Sequence, residues 1–146
     1  MIMKVLIING PNLNLLGKRK QSIYGAQTLE EINEAIKLRG KELEIEVDFF
    51  QSNSEGLIVD KLHESMDMDY SGIIINPAAF THYSLAIRDA IEVLTRPVIE
   101  VHLSNISGRE DFRQKSVIAP VCAGQISGLG LNSYLVAIEG LKLLNK

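Results

Sequence analysis

Apolar residues in this chain gather into short unbroken runs, and the stretches between them carry apolar positions at helical spacing. Val5 to Asn9, Glu44 to Phe50, Ile73 to Asn76 and Val98 to Leu103 are β-branched or apolar runs, with Val117 to Cys122 a weaker fifth. Runs without strict alternation predict strands covered on both faces, as in a parallel sheet. The first helical pattern starts at Thr28, where Thr28 and Glu31 form a capping box, and runs through Ile32, Ala35, Ile36 and Leu38 to a stop at Gly40. Ser52 and Glu55 are the capping pair of a second, with Leu57, Ile58 and Leu62 on its apolar side. A third places Leu85, Ile87, Ala90, Ile91 and Leu94 at helical spacing before Pro97 resets the chain. The last, from about Ser133, turns Leu135, Val136, Ile138, Leu141 and Leu144 toward the sheet.

The resulting order is βαβαβαβ(α)βα. Right-handed crossovers convert it into an α/β, three-layer, flavodoxin-like fold with a five-stranded parallel sheet. At 146 residues the chain fits one domain, so residues 1–146 are expected to form a single catalytic unit. The connection from Gly10 to Gln27 is too long for a mere link and is a candidate lid.

Composition narrows the possible roles. A formal charge of −3 with dispersed cations supplies no basic field for nucleic acid or for an acidic membrane surface. Cys122 is the single cysteine, which suits a reducing cytoplasm and reads as a small core residue. Only Lys4 precedes the first apolar run, which Asn9-Gly10-Pro11 ends, so no secretory leader is expected. Ser116 to Ile138 is free of charge, but Pro120, Gly124, Gln125 and Gly128 interrupt it; strand, loop and helix are expected there, not a membrane span.

Most of the unusual polar residues fall in four fragments that follow predicted strands: Gly10 to Gly17, Asn76 to His82, Glu100 to Asn105, and Arg109 to Arg113. Carboxyl ends of strands in an open α/β sheet converge on one crevice, which predicts a shared pocket. Gly10 to Lys18 is no P-loop, because six residues separate Gly10 from Gly17 and Arg19 stands where the magnesium-binding hydroxyl belongs. Gly124, Gly128 and Gly130 lack dinucleotide-binding spacing and read as turn formers. His63, His82 and His102 have neither ligand spacing nor cysteine support, so no metal is expected, and His63 falls on a polar helix face.

Two pairs carry candidate chemistry. Glu100 and His102 are two apart on a strand and share a face, where the carboxylate can set the imidazole tautomer; a buried structural ion pair is the alternative. Tyr24 lies in the lid candidate five residues after Arg19, with Lys18 and Lys20 nearby. A cation beside a phenol favours the phenolate, hence a base; simple stacking is the alternative. Asn12, Asn76 and the amides around Leu103 and Ser104 can donate to oxyanions, and Arg113 can take a carboxylate bidentately. Base, acid and anion holders together suggest proton abstraction next to a carbonyl, followed by loss of a leaving group.

From Ile7-Ile8-Asn9-Gly10-Pro11-Asn12-Leu13-Asn14 to the terminal helix, these motifs resemble the type II 3-dehydroquinate dehydratases. The resemblance implies reversible dehydration of 3-dehydroquinate to 3-dehydroshikimate, in the shikimate or quinate pathway, with no cofactor and no metal. It implies that Tyr24 removes the C2 proton with the help of Arg19, giving an enolate against which Asn12 holds a water. His102, oriented by Glu100, then protonates the departing C1 hydroxyl. Substrate contacts implied in the same way are Asn76, His82, Leu103, Ser104 and Arg113, with Asp89 reaching a neighbouring subunit's pocket in a homododecamer built from trimers. Lys20-Gln21 replaces the family's common Glu-Pro, and Ser107-Gly108 its common His-Ala, which bears on lid stiffness. A flavodoxin-like binder of a small polyol or nucleotide is the competing expectation; it gives no reason to group Arg19, Tyr24, Glu100 and His102. A scaffold without a small-molecule pocket is the third.

Overall fold

A computed structural model describes residues 2–145. Five strands, β1 (Met3–Asn9), β2 (Ile45–Gln51), β3 (Gly72–Asn76), β4 (Val98–His102) and β5 (Gly124–Ser127), form one sheet in the order β2-β1-β3-β4-β5, every pair parallel. This is the flavodoxin-like order, with its switch point between β1 and β3. The helices are α1 (Gln21–Tyr24), α2 (Leu29–Glu42), α3 (Glu55–Ser65), α4 (Leu85–Glu92) and α5 (Asn132–Leu144).

The two faces of the sheet explain the unbroken apolar runs. Successive side chains on a strand point to opposite faces, so Val5 and Ile7 pack with α2 and α5 while Leu6 and Ile8 pack with α3 and α4. Both faces are covered, and all four of these residues are fully buried. At about 1.5–3 kcal/mol for each fully buried large aliphatic side chain, a buried polar residue in mid-strand is costly unless it finds partners.

The capping box at Thr28 forms as expected: its hydroxyl accepts the Glu31 N–H at 3.2 Å, and Glu31 accepts the Thr28 N–H at 3.1 Å. Elsewhere tertiary contacts override the local signals. Helix α2 continues through Gly40 to Glu42, and Gly40 is there for clearance, since a Cβ would lie 2.8 Å from the Ile45 carbonyl oxygen and 2.9 Å from Val47. Ser54, not Ser52, caps α3 by accepting the Leu57 N–H, and Glu55 instead accepts from the Ser84 hydroxyl. Leu38, Leu57, Leu85, Val136 and Leu144 stay exposed; on α5 the expected Ile138 and Leu141 are buried, joined by Tyr134 and Ala137.

The fifth strand is four residues long and starts at Gly124, beyond the run from Val117 to Cys122. Pro120 lacks the N–H a ladder needs, and the Ser116 hydroxyl accepts the N–H groups of Ile118 and Ala119, so that run closes into a tight turn. β5 pairs on one side only, with β4, and so needs no continuous apolar sequence. The Gly10 to Gln27 connection is also more ordered than a loose lid: Leu13 and Leu16 are buried in the core, and Gln21–Tyr24 forms a single helical turn.

Candidate active site

Strands β1 and β3 end in register, Asn9 opposite Asn76, and the chains then part. Gly10 donates to the Asn76 carbonyl at 2.8 Å, and a Cβ on it would stand 2.5 Å from the Pro77 carbonyl oxygen. Only glycine allows the two backbones so close, and the crevice opens where they diverge. One pocket there is bordered by Asn12, Arg19, Tyr24, Asn76, His82, His102, Leu103, Ser104, Arg109 and Arg113. Of the eleven candidate site residues from the sequence, nine border this pocket and Glu100 and Asp89 do not; Arg109 is a polar neighbour to which the sequence assigned no role.

The Tyr24 phenol oxygen accepts hydrogen bonds from two guanidinium groups, Arg19 Nη2 and Arg109 Nη2, each at 3.1 Å. Arg19 also lies over the ring, 4.0 Å from its centroid, and Arg109 stands 5.3 Å from it. Two guanidinium groups thus converge on one phenol oxygen. Arg109 comes from the loop after β4, 85 residues beyond Tyr24, so no local spacing could announce the contact. The only sequence hint is its place in the Arg109 to Arg113 fragment.

The second pair sits on β4, Glu100 in mid-strand and His102 at the strand's end. Glu100 is fully buried, and its carboxylate is 2.5 Å from Nε2 of His102, leaving Nδ1 as the free position of the ring. The Thr81 hydroxyl donates to the same carboxylate, and the Ser116 hydroxyl donates at 2.8 Å. A carboxylate so enclosed is tolerable because both of its oxygens meet donors. Thr81 lies in the Asn76 to His82 fragment but was given no role, and Ser116 was not marked by the sequence pattern, since hydroxyl residues near turns are common.

Burial pushes the Glu100 carboxyl upward, but the hydrogen bond and charge of His102, with Thr81 and Ser116, hold it below the ordinary value of 4.5. A carboxyl depressed in the folded state releases its proton more readily there than in the unfolded chain. Its stabilising contribution is therefore fully present above the unfolded value and is lost as pH falls through the folded one. In urea titrations the stability gap between the wild-type protein and Glu100→Gln should be widest near neutral pH and close as the pH drops below 4.5. A gap that widens in acid contradicts this account of Glu100.

The remaining polar residues of the pocket line its other walls. His82 Nδ1 donates to the Lys115 carbonyl at 2.8 Å, which makes Nε2 the acceptor of the neutral ring. Arg109 donates to the Ser104 hydroxyl, and both Arg109 and Arg113 pair with Glu110, at 3.3 and 3.0 Å. Asn12 adopts a left-handed backbone, φ 68°, and its N–H donates to Asn53 at 3.0 Å. Asp89, on α4, is exposed and does not border this pocket of its own chain, and His63 is exposed on α3. Cys122 is half-buried, its thiol pushed up to about 12 by burial and by Glu100, so it stays protonated. Among the described residues no three His, Cys, Asp or Glu side chains gather to hold a metal ion, and no helix is long and apolar enough to cross a membrane.

Fold and pocket together define a flavodoxin-like α/β protein whose crevice pairs a guanidinium-flanked phenol with a carboxylate-bound imidazole, the equipment of acid–base chemistry on an anion. The family model described as dehydroquinase class II matches residues 3–142, and the chain belongs to that family. A protein named 3-dehydroquinate dehydratase from Caldicellulosiruptor bescii is 57% identical over 139 residues, covering 95% of this chain and 96% of that one. One of the same name from Clostridium perfringens is 55% identical over 140 residues, covering 96% of this chain and 97% of its own. The crystal structure of type II dehydroquinase from Butyrivibrio crossotus superposes with a TM-score of 0.94 at 50% identity, covering 96% of this chain and 97% of that one.

Proposed function

We infer that this protein is a 3-dehydroquinate dehydratase, a hydro-lyase that removes water reversibly from 3-dehydroquinate to give 3-dehydroshikimate. The observation that carries the reading is the convergence of Tyr24, with Arg19 and Arg109 on its oxygen, and His102, backed by Glu100, on one pocket. In the proposed mechanism the Tyr24 phenolate takes the C2 proton. The electron pair of that bond moves toward the C3 carbonyl and leaves an enolate, steadied by a water on Asn12. The enolate then collapses, the C1–oxygen bond breaks, and His102 delivers a proton so that hydroxide departs as water. Asn76, His82, the turn at Leu103 and Ser104, and Arg113 hold the substrate's carboxylate and hydroxyls.

This reading extends to assembly and place. The exposed Asp89 is assigned to a neighbouring subunit's pocket within a homododecamer, and the enzyme to the cytoplasm, where it serves the shikimate or quinate pathway. The direct test adds 3-dehydroquinate to purified, chelator-treated protein and follows the ultraviolet absorption of the conjugated enone. Product at undiminished rate supports the reading; unchanged 3-dehydroquinate would leave a binding module instead.

Arg109 is given the same task as Arg19, holding charge on the Tyr24 oxygen. Removing one such preorganised donor costs about 100- to 1,000-fold in kcat. Arg109→Gln should lower kcat to that extent and leave Arg109→Lys intermediate, as steady-state kinetics will report. An Arg109→Gln enzyme of wild-type kcat would remove Arg109 from the base.

A further inference from the structure

Tyr134 has no part in the chemistry above, yet its hydroxyl sits beneath the switch point. It projects from the first turn of α5, is fully buried, and reaches the last rung of the β1–β3 ladder. Its oxygen donates to Asn9 Oδ1 at 2.6 Å and accepts from Asn76 Nδ2 at 2.9 Å. Asn76 Oδ1 in turn accepts the Ala78 N–H at 3.1 Å, and Ala78 is held with a left-handed φ of 52°.

The direction of this chain of bonds is forced. A backbone N–H can only donate, so Oδ1 of Asn76 must face Ala78 and Nδ2 must face Tyr134. Burial raises the Tyr134 phenol, which keeps its proton for Asn9. One N–H of Asn76 Nδ2 is thereby used, and the other makes no hydrogen bond with any described residue. Asn76 also borders the pocket, so a donor with no internal partner stands at its wall. If the amide were turned over, its carbonyl oxygen would confront an anionic substrate and repel it.

We propose that Tyr134 is a positioning residue for substrate binding: it fixes the Asn76 amide so that an N–H, and never the carbonyl, is presented to an oxygen of the bound carboxylate substrate. The proposal rests on the assignment of Asn76 to substrate contact. Tyr134→Phe keeps the ring that packs against the core and removes only the oxygen, which leaves the amide free to rotate. A group that acts on binding alone raises KM without touching the chemical step.

The test measures kcat and KM for 3-dehydroquinate in Tyr134→Phe, Asn76→Ala and the double variant. Tyr134→Phe should raise KM about tenfold, the effect of one lost hydrogen bond to a charged acceptor, with kcat within about twofold of wild type. In the double variant KM should be no higher than in Asn76→Ala, because Tyr134 acts through Asn76. Additive effects, or a fall in kcat at constant KM, overturn the proposal. A raised KM in Asn76→Ala beside an unchanged Tyr134→Phe overturns Tyr134 alone, whereas an unchanged Asn76→Ala overturns the substrate contact on which it depends. A crystal structure of the wild-type protein with bound 3-dehydroshikimate tests the same point without a variant. Asn76 Nδ2 should lie within hydrogen-bond distance of a ligand oxygen; Oδ1 in that place, or no contact, sinks the proposal.

Discussion

Tyr24→Phe is expected to lower kcat by about a thousandfold or more while ligand binding stays measurable, the loss typical when a positioned general base is removed. The substitution takes away only the oxygen on which Arg19 and Arg109 converge. The aromatic ring remains beneath the Arg19 guanidinium, 4.0 Å from the centroid, so the attraction between cation and ring face survives. The half-buried packing of Tyr24 against the hydrophobic core also survives, since the ring is unchanged. Freed of the phenol, the two guanidiniums remain as donors to an anionic ligand, and affinity should change only a few-fold. Steady-state turnover and calorimetric titration with 3-dehydroquinate separate the two effects. Near-normal turnover in Tyr24→Phe would place the base elsewhere.

The second large effect belongs to His102, whose loss should act on activity and stability through different atoms. His102→Ala removes the proton donor, with a cost in kcat of about 100- to 10,000-fold. It also strips a fully buried carboxylate of its imidazole partner, leaving Glu100 to the Thr81 and Ser116 hydroxyls. Breaking a buried pair by removing one member costs about 3–5 kcal/mol, because the remaining charge has lost its solvent and its partner together. Adding Glu100→Gln removes that charge and should restore much of the lost stability with no return of activity. Urea titration and the enone assay on the single and double variants check both halves. A double variant as unstable as His102→Ala would mean that Glu100 is not the source of the instability.

How far these residues could be read from the linear chain depended on the kind of interaction each makes. The capping box at Thr28 and Glu31 was legible because its two hydrogen bonds lie within four residues. The strands at Val5, Ile73 and Val98 were legible because both sheet faces are covered, and burial on both sides demands uninterrupted apolar sequence. The clustering of polar residues after those strands followed from the same cause, since a buried strand favours unpartnered polar residues beyond its end, Glu100 being tolerated in mid-β4 by its partners. The grouping of Asn12, Tyr24, Asn76, His82, His102 and Arg113 on one pocket was therefore written into the order of elements.

The features that escaped are those settled between distant segments. Gly40 looks like a helix stop, but the approach of β2 to α2 needs the missing side chain there. The run Val117 to Cys122 has strand composition, yet the Ser116 hydroxyl and Pro120 close it into a turn, and the sheet takes Gly124–Ser127 as its edge. Arg109 meets Tyr24 across 85 positions, and Tyr134 meets Asn9 across 125. Periodicity, capping and the apolar runs arise from forces acting within a turn or along a strand, and they were enough to specify the sheet, its helices and the crevice. Which hydroxyls satisfy Glu100, which second guanidinium reaches the phenol and which way the Asn76 amide points required the packed chain. Each depends on pairing buried polar groups that become neighbours only after the sheet has closed, where water can no longer substitute for a missing partner.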